Sequence, residues 1–217
     1  MRSKKVILPH ELARRRRIAA RVVRILRRLF PTAKIALRYG NPWELLVAVM
    51  LSAQSTDKKV NEVTAKLFKK YRTLNDYVNA DPREFQEDIK VLGLFRTKAK
   101  HILATAKIIK EKFGGKIPKT MEEMLMLPGV ARKTANVVLG NAHGVVLGIA
   151  VDTHVRRLSR LLGLTDENDP NKIERDLMQI LPKKEWIDFN HRMVFYGREY
   201  CPARPHDHAK CPLSKIR

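Results

Sequence analysis

The segment Thr120–Asn141, TMEEMLMLPGVARKTANVVLGN, constrains the fold of this chain more than any other stretch. Thr120-x-x-Glu123 has the pattern of a capping box and predicts a short helix over residues 121–126. Leu127-Pro128-Gly129-Val130 then stops it, because proline cannot continue a helix and glycine frees the backbone for a tight reversal. A second helix is predicted at once, over 131–142, with Ala135, Val137 and Val138 apolar. Two helices joined by so short a hairpin aim backbone N–H groups, and the positive end of the second helix, at one point. Such a point suits a phosphate and reads no base sequence.

The rest of the chain reads as helix too. Ile18, Val22, Ile25, Leu26 and Leu29 recur at helical spacing until Pro31 stops the run. An almost wholly apolar helix is predicted over 42–53, with Pro42 in its first turn. Asp57 is the expected cap of a helix over 58–71. Further helices are expected over 74–78, 82–91, 97–113, 153–162, 171–181 and 185–200. Strand signals are weak: Val145–Val151 is one short apolar run, interrupted by Gly148. The expectation is an all-α fold without tandem repeats or long linkers.

Charge narrows the function. The chain has 44 Lys and Arg against 22 Asp and Glu, a formal net charge of +22 over 217 residues. An excess of that size repels itself unless a polyanion meets it. Nucleic acid is the first candidate, with binding that weakens steeply as salt rises. An anionic membrane surface or a merely solvated basic face are the alternatives. Residues 1–28 alone hold eleven Lys or Arg and one acid, Glu11, and the Arg14–Arg17 run is either a DNA-contacting arm or a solvated face. No apolar run reaches the ~20 residues that span a bilayer. The basic start Met1-Arg-Ser-Lys-Lys-Val lacks the apolar stretch and cleavage site of a secretory signal. Cys201 and Cys211 make no disulfide framework, which fits a reducing compartment.

The string LPGVARKTANVVLGNAHG, from Leu127, resembles the helix-hairpin-helix of the endonuclease III family, whose usual form reads LPGVGRKTA. Ala131 stands in place of the third hairpin glycine and suits a helix start. The resemblance extends to Ile149-Ala150-Val151-Asp152-Thr153-His154-Val155, to Pro42-Trp43-Glu44-Leu45-Leu46, to Leu51-Ser52-Ala53-Gln54-Ser55-Thr56-Asp57 and to Leu92-Gly93-Leu94. It covers about residues 40 to 200, with the motifs in family order.

The resemblance implies a two-lobed glycosylase fold with DNA in the groove between the lobes. One lobe, 35–145, would contain the hairpin (about 120–141). The other would join 1–34 to 146–217. Lys133 is the expected nucleophile. A helix's positive end and a neighbouring cation such as Arg132 both favour a neutral amine, which could attack C1′, displace the base and form a Schiff base. Asp152 is the expected carboxylate that stabilises positive charge on the sugar, and as a plain residue it reads as an N-cap. A base must leave the stack to be excised, and the hole must be filled. Gln54 and Leu94 match the filling positions; read without the resemblance they are a turn glutamine and a core leucine. Leu127, Gly129, Val130, Ala131 and Arg132 would contact DNA. Ser52 and Asp57 would border the base pocket. His154 reads as a local hydrogen-bonding residue.

Most members of that family end in four cysteines, C-x6-C-x2-C-x5-C, which hold a [4Fe–4S] cluster. Here Cys201 and Cys211 keep the first and third positions, while His208 and Arg217 stand at the second and fourth. Two thiolates do not make the usual ligand set, so no cluster and no cofactor are expected. Cys201, His206, His208 and Cys211 could hold zinc, but C-x4-H-x-H-x2-C is an unusual spacing, and this is the lesser alternative. The expectation is a degenerate, metal-free loop at 201–217, held by Pro202, Pro205 and Pro212 packing on the last helix.

The reading is therefore a bifunctional DNA glycosylase/AP lyase of base excision repair, excising oxidised pyrimidines from duplex DNA that carries damaged bases or abasic sites. It is expected to be monomeric, in the cytoplasm of a prokaryote with the nucleoid, with no membrane partner. A monofunctional mismatch glycosylase acting on thymine or adenine is one alternative, against which Lys133 counts. A non-catalytic helix-hairpin-helix DNA-binding protein is the other.

Overall fold

The computed structural model describes residues 8–216. The basic start at residues 1–7, and Arg217 at the fourth cysteine position, lie outside the described residues. All regular elements among the described residues are helical. The chain divides into two compact units: residues 35–147, and residues 1–34 together with 148–217.

α1 (Pro9–Leu29) belongs to the other unit, and the first helix of the 35–147 unit is α2 (Pro42–Leu51). Asn41 caps α2, its side chain accepting from the Glu44 N–H at 3.0 Å, and Pro42 takes the first turn where its missing N–H costs nothing. The helix is buried on nearly every side, as its composition predicts. α3 (Asp57–Lys70) differs from expectation at its start. Thr56 is the N-cap, accepting from Lys59 N–H at 3.3 Å, and Asp57 is the first helical residue. Both types cap helices, and the β-region backbone falls on Thr56.

Two short helices, α4 (Leu74–Val78) and α5 (Pro82–Ile89), pack on the long α6 (Phe95–Phe113). Between them Trp43, Tyr71, Tyr77 and Phe85 form an edge-to-face cluster with centroids 5.0–5.8 Å apart. Each such side chain removed from water contributes about 1.5–3 kcal/mol. α7 (Met121–Leu125) and α8 (Arg132–His143) follow, and α8 lies against α2.

The other unit packs α1 (Pro9–Leu29), α9 (Thr153–Leu161), α10 (Pro170–Ile180) and α11 (Trp186–Glu199) around one core. Ile18, Val22 and Leu26 of α1 meet Leu158, Leu177, Phe189 and Met193 there. Within the Arg14–Arg17 run Arg15 alone is buried, and Arg14, Arg16 and Arg17 are exposed. Arg15 is buried and pairs with Glu11 (2.8 Å) and Asp166, Arg14 pairs with Glu11 (2.9 Å), and Arg16 donates to the Gln179 carbonyl. Glu185, also buried, bridges Arg27 and Arg192.

The apolar run Val145–Val151 forms no strand. Val145 N–H closes the end of α8 on the Leu139 carbonyl, and Ile149–Val151 run into the core as an irregular buried segment. Asn190 of α11 satisfies one of its buried carbonyls, donating to the Ala150 oxygen at 2.8 Å.

Candidate active site

The hairpin is built by residues that each have a local reason. Leu127 and Val130 are buried and anchor its two ends, and Val130 N–H returns to the Leu127 carbonyl at 3.1 Å. The Pro128 carbonyl accepts from the buried Thr105 hydroxyl of α6 at 3.1 Å, which pins the turn from below. Gly129 has φ +75°, and a Cβ there would stand 2.7 Å from the ring of His101. The position thus requires glycine twice, for backbone conformation and for space. Ala131 is the N-cap of α8 and, lacking a side-chain acceptor, makes no side-chain cap hydrogen bond to the first turn of that helix. Lys133 is the second residue of the helix and is exposed; Arg132 beside it is half-buried.

Two other loops of the same unit meet each other. Gln54 (φ +53°), between α2 and α3, and Leu94 (φ +58°), at the start of α6, are the two non-glycine residues with left-handed backbone among the described residues. A Cβ on Gly93 would lie 3.2 Å from the Gln54 carbonyl oxygen, so the loops abut. Leu94 is 54 % exposed, which sets aside its reading as a core leucine. Left-handed backbone costs an ordinary residue about 1–2 kcal/mol. Two strained, exposed, adjacent side chains form a feature that no packing requirement explains.

Lys98 was not singled out by sequence reasoning. It is buried on α6, burial pushes its amine below the ordinary lysine value, and Nζ donates to Ser55 Oγ at 3.1 Å. It ties the Gln54 loop to the helix that Leu94 begins. A buried lysine has no sequence signature, though its helical register with Ala99 and Ile102 could have suggested it. Ser52 and Asp57 flank the same loop, both half-buried, and the Ser52 hydroxyl donates to the Val49 carbonyl at 2.8 Å.

In the other unit Asp152 is the N-cap of α9. Its Oδ1 accepts from Val155 N–H at 2.8 Å, and the side chain is half-buried. α11 supports this segment. His191 is buried near the Asp152 carboxylate; burial pushes its imidazole below the ordinary value, while Asp188 and Asp152 pull the other way. His154 packs its ring on the backbone of Gly197, where any Cβ would collide with it.

The C-terminal loop corrects an expectation. One ligand atom from each of Cys201, His206, His208 and Cys211 lies within 4.8 Å of all the others. A degenerate, metal-free loop without a cofactor is therefore not what the chain forms: the four side chains make a group that could hold a metal. Nor do the prolines hold the loop. Pro205 is exposed and Pro202 and Pro212 are half-buried, whereas Cys201, Cys211, Leu213 and Ile216 enter the core. The spacing hid the convergence, because the chain doubles back between residues 202 and 210.

Among the described residues no helix is long and apolar enough to cross a membrane. Residues 47–183 match the HhH-GPD superfamily base excision DNA repair protein family. The chain is 46% identical to the endonuclease III of Synechocystis sp., over 96% of this chain and 95% of that protein. It is 48% identical to the endonuclease III of Bacillus subtilis, over 87% of this chain and 86% of that one. The structure of a trapped endonuclease III–DNA covalent intermediate superposes with a TM-score of 0.87 at 44% identity, covering 91% of this chain and 93% of that chain. With this likeness running through both units, the chain belongs to the endonuclease III family of HhH-GPD base excision repair proteins.

Proposed function

We infer that Lys133 and Asp152 carry out the family's chemistry in this chain, a bifunctional DNA glycosylase/AP lyase reaction that removes oxidised pyrimidines from duplex DNA. The observation that carries the assignment is the position of Lys133: an exposed amine in the first turn of α8, directly after a hairpin whose N–H groups have no side-chain cap. A phosphate held by those N–H groups brings a deoxyribose within reach of the amine.

The neutral amine's lone pair forms a bond to C1′ while the glycosidic bond breaks and its electrons leave with the base, which takes up a proton. The sugar ring opens to a Schiff base on Nζ. Loss of a C2′ proton then expels the 3′ phosphate by β-elimination, and water releases the enzyme. Asp152 supplies a carboxylate to the positive charge that grows on the sugar and can accept the proton the amine sheds. Its N-cap hydrogen bond fixes that carboxylate in one orientation. Gln54 and Leu94 fill the place of the extruded nucleotide, and the strain both carry is consistent with positions selected for that task rather than for packing. Leu127, Gly129, Val130, Ala131 and Arg132 form the phosphate contact. The net charge of +22 supplies the long-range attraction to duplex DNA. The trapped covalent intermediate of an endonuclease III with DNA, at 44% identity, supports a covalent route here.

Borohydride trapping on a duplex with one oxidised thymine tests the assignment. A covalent adduct is expected for the wild type and none for Lys133→Gln. An adduct that survives in Lys133→Gln places the nucleophile elsewhere. Base release without any wild-type adduct replaces this reading with a monofunctional one.

A further inference from the structure

Cys201 and His206 open the C-terminal loop and His208 and Cys211 close it, and their ligand atoms point to a common centre. Cys211 Sγ lies 3.3 Å from His206 Nε2 and 4.0 Å from His208 Nδ1, and Cys201 Sγ lies 3.8 Å from His208 Nδ1. A tetrahedral zinc ion, with bonds of about 2.3 Å to sulfur and 2.0–2.1 Å to nitrogen, sets its ligand atoms about 3.3–3.8 Å apart. These three separations lie close to that scale, and all four ligand atoms lie within 4.8 Å of one another.

The surroundings prepare the donors. His206 Nδ1 is 2.9 Å from the Arg204 carbonyl, which can only accept, so Nδ1 carries the proton and Nε2 turns a lone pair toward Cys211. Metal-bound histidines are oriented in this way by a second hydrogen bond. Arg157 of α9 donates to Cys201 Sγ at 3.6 Å and also to the Cys201 carbonyl, which holds that sulfur in place. Leu158, Leu162 and Leu213 line a cavity of 260 Å³ beside Cys201, His208 and Cys211, and both sulfurs are buried while His208 stays exposed.

The group usual for the family does not fit these donors. A [4Fe–4S] cubane takes four thiolates, one at each iron corner. Here two donors are sulfur and two are imidazole nitrogen, and all four crowd within 4.8 Å around one point. We propose that Cys201, His206, His208 and Cys211 bind a single tetrahedral divalent metal ion of the zinc class, which locks residues 201–211 onto the end of α11. Zinc has no redox chemistry, so the centre is structural.

The test uses the full chain, purified without chelator and assayed for zinc, iron and acid-labile sulfide. One zinc per chain is expected. The chain is then stripped by mild chelation, its fold checked by circular dichroism, and cobalt(II) titrated in. A tetrahedral visible spectrum with thiolate charge transfer should grow to one equivalent. His208→Ala removes an exposed ligand and should abolish that spectrum without unfolding the chain. Arg157→Gln should weaken cobalt binding about 10–100-fold, the usual cost of a lost supporting hydrogen bond. Iron with stoichiometric sulfide in the purified protein overturns the proposal in favour of a cluster. A folded chain that takes up neither zinc nor cobalt, or a His208→Ala spectrum identical to the wild type, overturns it as well.

Discussion

His101, on α6, presses its imidazole against the backbone of Gly129, so that a Cβ on the glycine would stand 2.7 Å from Nδ1. Gly129→Ala therefore combines left-handed backbone strain with a collision. Together these should cost about 2–4 kcal/mol of stability. Urea denaturation measures the loss. Adding His101→Ala should recover most of the collision part, since of the close atoms only its Cβ, at 3.0 Å, remains, and leave the backbone part. Affinity for undamaged duplex should fall in both variants, because the hairpin N–H groups move; full affinity in the destabilised single variant would dissociate the hairpin from phosphate binding.

At Leu94 stability and activity are expected to move in opposite directions. Glycine tolerates φ +58° without steric cost, and the leucine side chain is exposed, so little packing is lost. Leu94→Gly should leave the fold as stable or up to about 1 kcal/mol more so. Base release from a paired lesion should nevertheless drop, roughly 10-fold or more for a loss of about 1.4 kcal/mol in the transition state. Single-turnover kinetics beside thermal denaturation separate the two effects. A variant that is both more stable and fully active would remove Leu94 from the extrusion step.

How far the sequence carries the reader differs between these two positions. Gly129 is legible, because Pro-Gly between helical runs has few other meanings, although the reason for glycine also lies in a ring on another helix. Leu94 is not legible as a strained residue, since leucine gives no sign of its φ. The helices came through because proline, caps and 3.6-residue spacing are local signals. The Thr56 cap was misplaced by one residue because Asp57 is equally competent. Lys98 escapes the sequence reading, and the four ligands enter it only as the lesser alternative, because burial and convergence are properties of the folded chain and nothing in C-x4-H-x-H-x2-C states that the loop doubles back.

Glu185 is buried between two arginines of unequal exposure. Arg192 is buried as well, so Glu185→Ala leaves it short of a partner and should destabilise the fold by about 3 kcal/mol. Arg27 is half-exposed, and Arg27→Ala should cost under about 1 kcal/mol. Denaturation midpoints of the two variants decide the matter. Equal losses would mean that the bridge acts as one unit.

His191 makes stability depend on pH. Burial lowers its folded-state value below the unfolded one, against the pull of Asp188 and Asp152 and with the help of Arg192. Between the two values the unfolded chain binds more protons, so stability rises with pH there. The contribution is complete above the ordinary imidazole value, about 6.5, and is lost as pH falls below it. His191→Gln should flatten the wild type's decline between pH 7 and pH 5, read from urea midpoints. An unchanged slope would assign the decline to other groups.

The core shared by α1 and the chain's end has a consequence for synthesis. Arg21 donates to the Ile216 carbonyl, and Ile18 and Val22 lie in one core with Leu213 and Ile216. Residues 35–147 are contiguous and can fold as soon as they leave the ribosome. α1 is made before them but must wait for α9–α11 and the residues that follow to find its neighbours. At about 5–20 residues per second it waits roughly 10–40 s for them, with its apolar stripe uncovered. Truncation before Leu213 therefore does its damage at α1, far away in sequence, by removing part of the core on which that helix docks.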